Sequence, residues 1–307
     1  EQTVALAGPA MGTRFELLLR GPDRVALRSA GEAALEEIGL WHGLLNAFDP
    51  ASVVSRVNRE AAQRPVRIPP ELAELLLWCE GVTDATGGAF DPSIGGLMRS
   101  AGFRDEPRCA DDPADGERCV RLDHEDGAWR ICLLGRGAAL DFGAIGKGWA
   151  LDRAAGVLRA CGVRSALLHG GTSSIVTIGA GEAGQPWRIG VGDGGPIELV
   201  DEALGLSAPS GRVVEAGGGL ANGHILDPRT GRSAVSLAGA MVTGPKAAVC
   251  DAWSTALVVD PALADSQRWP AGYRAMLSEQ PGVWRACDGP WAGRGHRAVE
   301  EQPGSVY

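Results

Sequence analysis

The 307-residue chain lacks long apolar runs, clustered cysteines and extended basic segments. It contains no stretch of about 18 uncharged apolar residues, so no transmembrane helix is predicted. Its 29 basic and 38 acidic residues give a net charge of -9. A surface with that balance and no basic run argues against a nucleic-acid partner.

Zinc-binding and disulfide patterns are also missing. The seven cysteines occur singly, with no CxxC pair and no Cys/His cluster. Several stand in apolar stretches such as LLLWCE and AAVCDAW, where we expect buried, reduced thiols. No signal-peptide pattern is visible. These features favour a cytoplasmic location, and the periplasm or cell envelope is the alternative if the N-terminus was trimmed.

Glycine and apolar residues are abundant. The 45 glycines are about twice the usual share of roughly 7% and predict many tight turns and close backbone approaches. Apolar residues make up 45% of the chain, which is enough for a large core. Strand-like and helical segments alternate without a clean linker. We therefore predict one compact mixed α/β domain with two lobes, spanning residues 1–307.

Local patterns place the main elements. Two extended runs lie within residues 3–20, with breaks at Gly8-Pro9 and Gly12, and strand-like pieces separated by Gly-rich turns fill residues 173–244. Residues 104–118 indicate an exposed loop. Apolar periodicity and terminal signals predict helices over residues 22–47, 69–88, 144–161 and 246–259.

The segment LDFGAIGKGWALD, residues 140–152, combines glycines with a lysine ahead of a helix. A nucleoside-triphosphate loop of the GxxxxGK[ST] type is excluded, because Asp141 and Gly148 stand where that motif needs Gly and Ser or Thr. What is left is a strand ending at Asp141, a turn, and a helix N-terminus that favours an anion beside Lys147. A tight turn with a solvated lysine is the alternative.

The segment CDAWSTAL, residues 250–257, places Asp251 and Thr255 on one helix face because they are four residues apart. A carboxylate and a hydroxyl are both hard oxygen ligands suited to Mg²⁺ or Ca²⁺. The alternative is structural: Thr255 would bond back to the preceding helical turn, and Asp251 would cap something nearby.

Two loop segments offer further polar groups. His224 stands between a Gly-rich loop and the DPRTG turn, and could act as a general base or lie as an ordinary surface or core histidine. The segment ATGGAFDPS presents Phe90 and Asp91, an aromatic face beside a hydrogen-bond acceptor. That pair suits a planar heterocycle, although a simple Asp-Pro turn would also explain it.

Seven sequence blocks in one order together resemble the ApbE-type flavin transferases. The resemblance covers residues 9 to 257, and it is carried by PAMGT (9–13), SVVSRVN (52–58), TGGAFDP (86–92), LDFGAIGKGWALD (140–152), LLHGGTSSI (167–175), HILDPRTG (224–231) and VCDAWSTAL (249–257). Members of this family split FAD and attach its FMN half to a threonine of an acceptor flavoprotein, releasing AMP.

The resemblance assigns roles to residues of this chain. His224 would be the catalytic base. Mg²⁺ would be bound by the Ala144 carbonyl, Asp251 and Thr255. The FAD pocket would be lined by Met11, Phe48, Ala89, Phe90, Asp91, Asp141, Lys147 and Ile225.

Two positions depart from the family pattern. Thr172 follows the Gly-Gly pair where the family usually has an acidic or amide residue, and Phe48 replaces a common tyrosine, which preserves stacking but loses a hydroxyl. Two other functions use the same residues and stay open. One is a metal-dependent FAD pyrophosphatase with water as the acceptor, and the other is a protein that binds FAD without cleaving it.

Overall fold

The computed structural model describes residues 1–103, 119–135, 137–191, 195–209, 213–216 and 220–287. An antiparallel sheet of eight described strands forms its centre. In spatial order, the sheet consists of β1 (Gln2–Ala10), β2 (Thr13–Gly21), β6 (Ser165–Gly170), β7 (Ser174–Ile178), β10 (Ala203–Ser207), β13 (Gly239–Gly244), β14 (Arg274–Gln280) and β15 (Val283–Ala286).

The described residues also form three smaller antiparallel sheets. A three-stranded sheet contains β3 (Val66–Ile68), β5 (Ala128–Leu133) and β4 (Val120–Glu125) in that spatial order. Two hairpins follow, formed by β8 (Trp187–Gly190) with β9 (Pro196–Leu199) and by β11 (Val213–Ala216) with β12 (Leu220–Gly223).

The described residues form six α-helices and two short 3-10 segments, Glu182–Gly184 and Pro261–Asp265. None of these helices is long and apolar enough to cross a membrane. The α-helices are α1 (Arg24–Leu45), α2 (Val53–Glu60), α3 (Pro70–Ala85), α4 (Gly95–Ser100), α5 (Gly146–Ala160) and α6 (Ala247–Val259).

The central sheet is covered on both faces. Helices α1, α5 and α6 pack together and against the strands around the main hydrophobic core. Neighbouring residues of β10 pack on opposite faces of the sheet. Ala203 packs in this core, and Leu204 packs in a second cluster with Ile189 and Leu199 of the β8–β9 hairpin. Because successive strand residues point to opposite faces, the hairpin covers the face away from the helices.

Two glycines allow α6 to lie unusually close to its neighbours. A Cβ atom on Gly148 of α5 would clash with the backbone carbonyl of Ala247, at the start of α6. A Cβ atom on Gly205 of β10 would clash with the backbone of Cys250 and Asp251. Helix α6 is therefore held between α5 and β10 at backbone contact distance, which fixes the position of Asp251.

The mixed α/β architecture and the four predicted helices are confirmed, with helix ends within about three residues of the predicted ones. The break predicted at Gly8-Pro9 is wrong, because β1 continues through both residues. As β1 is an edge strand, the missing N–H of Pro9 costs no sheet hydrogen bond. The turn at Met11 and Gly12, where both φ angles are positive, is the actual break.

The remaining predictions concern the short helices, one strand, one loop and the cysteines. Helices α2 and α4 were not predicted, since eight and six residues give too little periodicity. The strand predicted to end at Asp141 is wrong: only an isolated bridge joins Ala139 to Ile94. The predicted loop at residues 104–118 lies outside the described residues. Buried thiols are confirmed at Cys79, Cys132 and Cys250, and none of the six described cysteines forms a disulfide.

Candidate active site

The turn before α5 is anchored by an asparagine of α2. Asn58 donates its side-chain N–H to the Leu140 carbonyl at 3.0 Å, and its side-chain oxygen accepts the Leu140 N–H at 2.6 Å. The next residue, Asp141, donates its backbone N–H to the Pro92 carbonyl at 2.8 Å. The half-buried Asp141 side chain accepts the Gly143 N–H at 2.8 Å. The turn is therefore tied to two other sequence blocks.

A buried carboxylate lies against the first turn of α5. The Asp251 side chain accepts the Gly148 N–H at 2.7 Å, and Ser174 of β7 donates its hydroxyl to the two carboxylate oxygens at 2.9 and 2.8 Å. Asp251 is only 6% exposed. Burial raises the pKa of Asp251 to about 7, while the charge of Lys147 and the bonds from Ser174 and Gly148 oppose that rise.

Thr255 lies one turn after Asp251 and is half-buried. Its hydroxyl donates to the Asp251 backbone carbonyl at 3.1 Å and lies 2.9 Å from the hydroxyl of Ser207, the last residue of β10. Both contacts of the structural alternative are thus present, because Thr255 bonds back along α6 and Asp251 caps α5. These contacts leave hydrogen-bond acceptor capacity on both side chains, since a carboxylate offers about four lone-pair sites and a hydroxyl two.

The oxygen set fits a hard divalent cation. Asp251 is a buried carboxylate, the Thr255 hydroxyl follows it on the same helix, and half-buried Ala144 lies in the turn before α5. Mg²⁺ binds through few protein oxygens and completes its shell with waters and substrate phosphates. No described cluster of three His, Cys, Asp or Glu side chains competes as a metal site. A cation here would also offset the burial of the Asp251 charge.

The segment at residues 86–93 differs from its predicted role. Phe90 is 2% exposed and Ala89 is 1% exposed, and both belong to the main core. The Phe90 ring packs inward and exposes no aromatic face, and the assignment of Phe90 to the FAD pocket stays a prediction. Asp91 accepts the Ser93 N–H and hydroxyl, each at 2.7 Å, which is the Asp-Pro turn given as the alternative.

The turn after His224 packs against this segment. Arg229 bonds to Asp227 at 2.9 Å and to Asp260, the residue after α6, at 3.1 Å. Its aliphatic chain lies 3.4 Å from where a Cβ on Gly88 would be. Arg229 therefore joins the DPRTG turn to the Gly87-Gly88 loop and to the end of α6.

His224 is half-buried and follows β12 directly. Ile225 is 6% exposed, and its carbonyl accepts the Ala234 N–H at 2.9 Å. A Cβ on Gly223 would lie 3.2 Å from the Pro209 carbonyl. Pro209 comes two residues after Ser207, whose hydroxyl contacts Thr255. Gly223, the residue before His224, therefore lies beside the chain segment whose Ser207 contacts Thr255.

Met11 lies in the turn between β1 and β2, and Phe48 lies in the loop between α1 and α2. Met11 has a φ of 50°, donates its N–H to the His42 ring at 3.2 Å, and its sulfur lies 3.8 Å from where a Cβ on Gly146 would be. Phe48, between α1 and α2, is 70% exposed. Its ring is exposed as an aromatic face, whereas the ring of Phe90 is buried.

Several residues of this site were not predicted as such. Asn58 and Ser174 lie in two of the sequence blocks that carry the family resemblance, but no role was predicted for either. Asp152 was predicted only to be part of a helix. Their contacts join residues 77 to 103 positions apart, as in the Ser174–Asp251 and Gly148–Asp251 bonds, and no local pattern reveals such pairs. A polar Ser174 ahead of the apolar strand residues IVTI was the one available signal.

A helix N-terminus, a lysine and a buried carboxylate on a mixed α/β scaffold define a protein class suited to a phosphorylated ligand. Residues 11–270 match the model of the ApbE family, and the chain belongs to that family.

Named relatives and a solved structure agree with this assignment. A FAD:protein FMN transferase of Rhodobacter capsulatus is 30% identical over 290 residues, covering 87% of this chain and 53% of the relative. The chain thus spans about half of that relative's length. A Klebsiella pneumoniae protein of the same name is 23% identical, covering 83% of this chain and 77% of the relative. The crystal structure of the ApbE protein of Thermotoga maritima has a TM-score of 0.80 at 25% identity, covering 94% of this chain and 97% of that chain.

Proposed function

We propose that this protein transfers the FMN half of FAD to a threonine hydroxyl of an acceptor flavoprotein in a Mg²⁺-dependent reaction that releases AMP. Membership of the ApbE family and the names of its relatives support the flavin-transfer part. The Mg²⁺-dependent cleavage of FAD is supported by the buried Asp251 carboxylate, which is bonded to the first turn of α5 beside Lys147 and is followed by Thr255.

In this proposal the first turn of α5 holds the pyrophosphate of FAD. The dipole of α5 makes its N-terminal end favourable for an anion, and the ammonium of Lys147 adds a positive charge at the same end. Asp251, Thr255 and the Ala144 carbonyl would hold Mg²⁺, whose charge lowers the energy of negative charge developing on phosphate oxygens. Exposed Phe48 would stack on the flavin ring.

His224 would act on the acceptor. The threonine oxygen forms a new bond to the FMN-side phosphorus, and the bond from that phosphorus to the bridging pyrophosphate oxygen breaks, so that AMP leaves. A neutral imidazole at His224 would accept the proton lost by the hydroxyl. Lys147 and the α5 N-terminus stabilise the charge that builds on the phosphate oxygens at the same time.

The test is AMP release from FAD by wild-type protein and by Asp251→Asn, with and without Mg²⁺. We expect Asp251→Asn to lower AMP release by more than about 100-fold, because even indirect changes around a metal cost about 10–100-fold in affinity or activity. Asp201→Asn is the control, since Asp201 also accepts a backbone N–H, from Gly179 at 2.8 Å, but lies in an exposed turn.

Equal AMP release in Mg²⁺ and in excess EDTA would contradict the metal site. Co-expression with candidate flavoproteins, followed by in-gel flavin fluorescence after denaturation, tests the transfer itself. Covalent flavin on the acceptor supports the proposal, and an acceptor Thr→Ala variant should abolish it. Free FMN and AMP with no labelled acceptor would indicate the pyrophosphatase, and the absence of AMP under all conditions would indicate a protein that only binds FAD.

A further inference from the structure

Helices α5 and α6 exchange carboxylate caps at their N-termini. Neither helix has a side-chain cap from its own N-cap residue, Ile145 or Lys246. Instead, Asp152 of α5 accepts the N–H groups of Ala247 and Ala248 at 3.0 and 2.9 Å. In return, Asp251 of α6 accepts the N–H of Gly148 in α5 at 2.7 Å. Each helix thus supplies the acceptor for N–H groups in the first turn of the other.

The exchange has a regular spacing. Asp152 follows Gly148 by four residues, and Asp251 follows Ala247 by four, so each acceptor lies one turn beyond the donor on its own helix. Gly148 permits the approach, because a Cβ atom there would clash with the Ala247 carbonyl. Any displacement of α6 along α5 would therefore break both sets of bonds together.

The Asp152 carboxylate is half-buried, and the residues whose N–H groups it accepts are fully buried. Burial raises the pKa of Asp152, and the bonds from Ala248 and Ala247 together with the charges of Lys246 and Arg159 oppose that rise. Ala247 and Ala248 are 0% and 3% exposed, so loss of the Asp152 acceptor leaves buried N–H donors unsatisfied.

We propose that Asp152 is a positioning residue that sets the location of Asp251 and Thr255 by anchoring the N-terminus of α6 on α5. Asp251 and Thr255 lie one and two turns after the anchored N–H groups, so both move when the anchor moves. This inference rests on the proposed function, because it assigns to Asp152 an effect on a cation held by Asp251 and Thr255. Asp152 itself touches neither the cation nor FAD in this scheme.

The experiment uses Asp152→Asn and Asp152→Ala in the full chain. The asparagine keeps the shape, but its amide nitrogen cannot accept a hydrogen bond, so one of the two bonds to α6 is lost. The matched control for the alanine variant is Asp23→Ala, since Asp23 accepts two first-turn N–H groups of α1, from Val25 at 2.8 Å and Ala26 at 3.1 Å. It makes the same kind of bonds at a helix outside the α5–α6 pair.

Three quantities are measured for each variant: Mn²⁺ binding by electron paramagnetic resonance, the Mg²⁺ concentration for half-maximal AMP release, and the melting temperature. We expect Asp152→Asn to weaken Mn²⁺ binding and raise the half-saturating Mg²⁺ concentration by about 10-fold or more, the usual cost of disturbing the support of a metal ligand. Asp152→Ala should exceed that. Asp23→Ala should lower the melting temperature, because an N-cap acceptor is lost, but leave both metal measurements unchanged.

The two proposals fail in different ways. Wild-type protein that binds no Mn²⁺ and releases AMP equally in EDTA would overturn the metal site and this inference with it. Wild-type protein that binds Mn²⁺, beside an Asp152→Asn variant that is less stable but binds Mn²⁺ equally well, would overturn the positioning role alone. A shift of both metal measurements in Asp23→Ala as large as that in Asp152→Ala would also overturn it, since general loss of stability would then explain the effect.

Discussion

The α5–α6 junction and the loops that carry Phe48 and His224 are built in opposite ways. At the junction, defined here by Gly148, Asp152, Ala247 and Asp251, carboxylates and backbone N–H groups of two helices are bonded to each other. Phe48, by contrast, is 70% exposed on a loop, and His224 is half-buried after a short hairpin.

The difference matches two tasks that the proposed function requires. A site for phosphate and metal needs fixed charges, and a junction locked at backbone contact distance provides them without reorganisation. An acceptor protein must reach the attacking position from outside, so residues that meet it have to lie near the surface. We therefore expect substitutions at the junction to affect folding and metal binding together, and substitutions in the loops to affect catalysis or flavin binding while folding is preserved.

The largest expected effect on the loop side is that of His224→Ala. General-base catalysis contributes typically about 10²–10⁴-fold, so the turnover rate should fall by a factor in that range. FAD affinity and melting temperature should change little, because the imidazole would meet the hydroxyl of the acceptor and not bound FAD. The measurements are the rate of flavin transfer, FAD binding by calorimetry, and thermal unfolding.

The pH profile sharpens this prediction. The wild-type rate should fall at acidic pH, because a protonated imidazole cannot accept the hydroxyl proton, and the residual rate of His224→Ala should lack that fall. His124→Ala is the control, since His124 is an exposed histidine that packs on Trp129 in the three-stranded sheet. A His224→Ala protein that fails only because FAD no longer binds would remove His224 from catalysis and abolish the contrast with the junction.

The junction is tested by one substitution made at two positions of the same helix. Gly148→Ala puts a methyl group against the Ala247 carbonyl, and overpacking of this kind costs typically about 1–3 kcal/mol. Gly156→Ala meets nothing within 4 Å and should stabilise α5 by about 0.5–1 kcal/mol. The two variants should therefore change the free energy of unfolding with opposite signs.

Denaturant unfolding measures that difference, and AMP release shows its consequence. Gly148→Ala should lose most activity, because the methyl group separates the helix that carries Asp251 from the one that carries Lys147. Gly156→Ala should keep full activity. If Gly148→Ala were as stable and as active as wild type, the close approach of α5 and α6 would not be required, and the rigid junction would be disproved.

How far the sequence predicts the molecule follows the same division. Helices α5 and α6 were predictable from apolar spacing and, for α5, from the glycine stop at Gly162, because those signals act within one or two turns. The exchange of caps between Asp152 and Asp251 was not, since each carboxylate bonds to N–H groups 95 to 103 residues away. The resemblance to the ApbE family identified Asp251 but gave no reason for Asp152, which only the packing of the two helices supplies.

In the loops, the sequence does not predict which aromatic residue is exposed. Phe48 and Phe90 were both expected to line the flavin pocket, yet one is exposed and the other belongs to the core. Sequence cannot separate them, because both stand beside turn residues with no periodic pattern to assign a face. The Gly87-Gly88 turn, with φ angles of 60° and 80°, directs the chain so that Phe90 enters the core.

The smallest effects are expected from Phe48→Leu and Phe90→Leu, and they test this assignment directly. Phe48→Leu removes an exposed ring, so stability should hardly change, while loss of a stacking contact worth about 0.5–1.5 kcal/mol should weaken FAD binding about 2- to 10-fold. Phe90→Leu should do the opposite. Its ring is 2% exposed in the main core, so unfolding should become easier by about 1 kcal/mol while FAD affinity is retained.

Both quantities are measured for each variant, by calorimetric titration with FAD and by denaturant unfolding. Titration with riboflavin isolates the ring contact, because riboflavin has no pyrophosphate for the α5 N-terminus to bind, so Phe48→Leu should weaken both ligands by a similar factor. If Phe90→Leu instead weakened FAD binding and Phe48→Leu did not, the inward packing of Phe90 would not describe the ligand-bound protein. The flavin would then have to reach the core side of the Gly87-Gly88 turn.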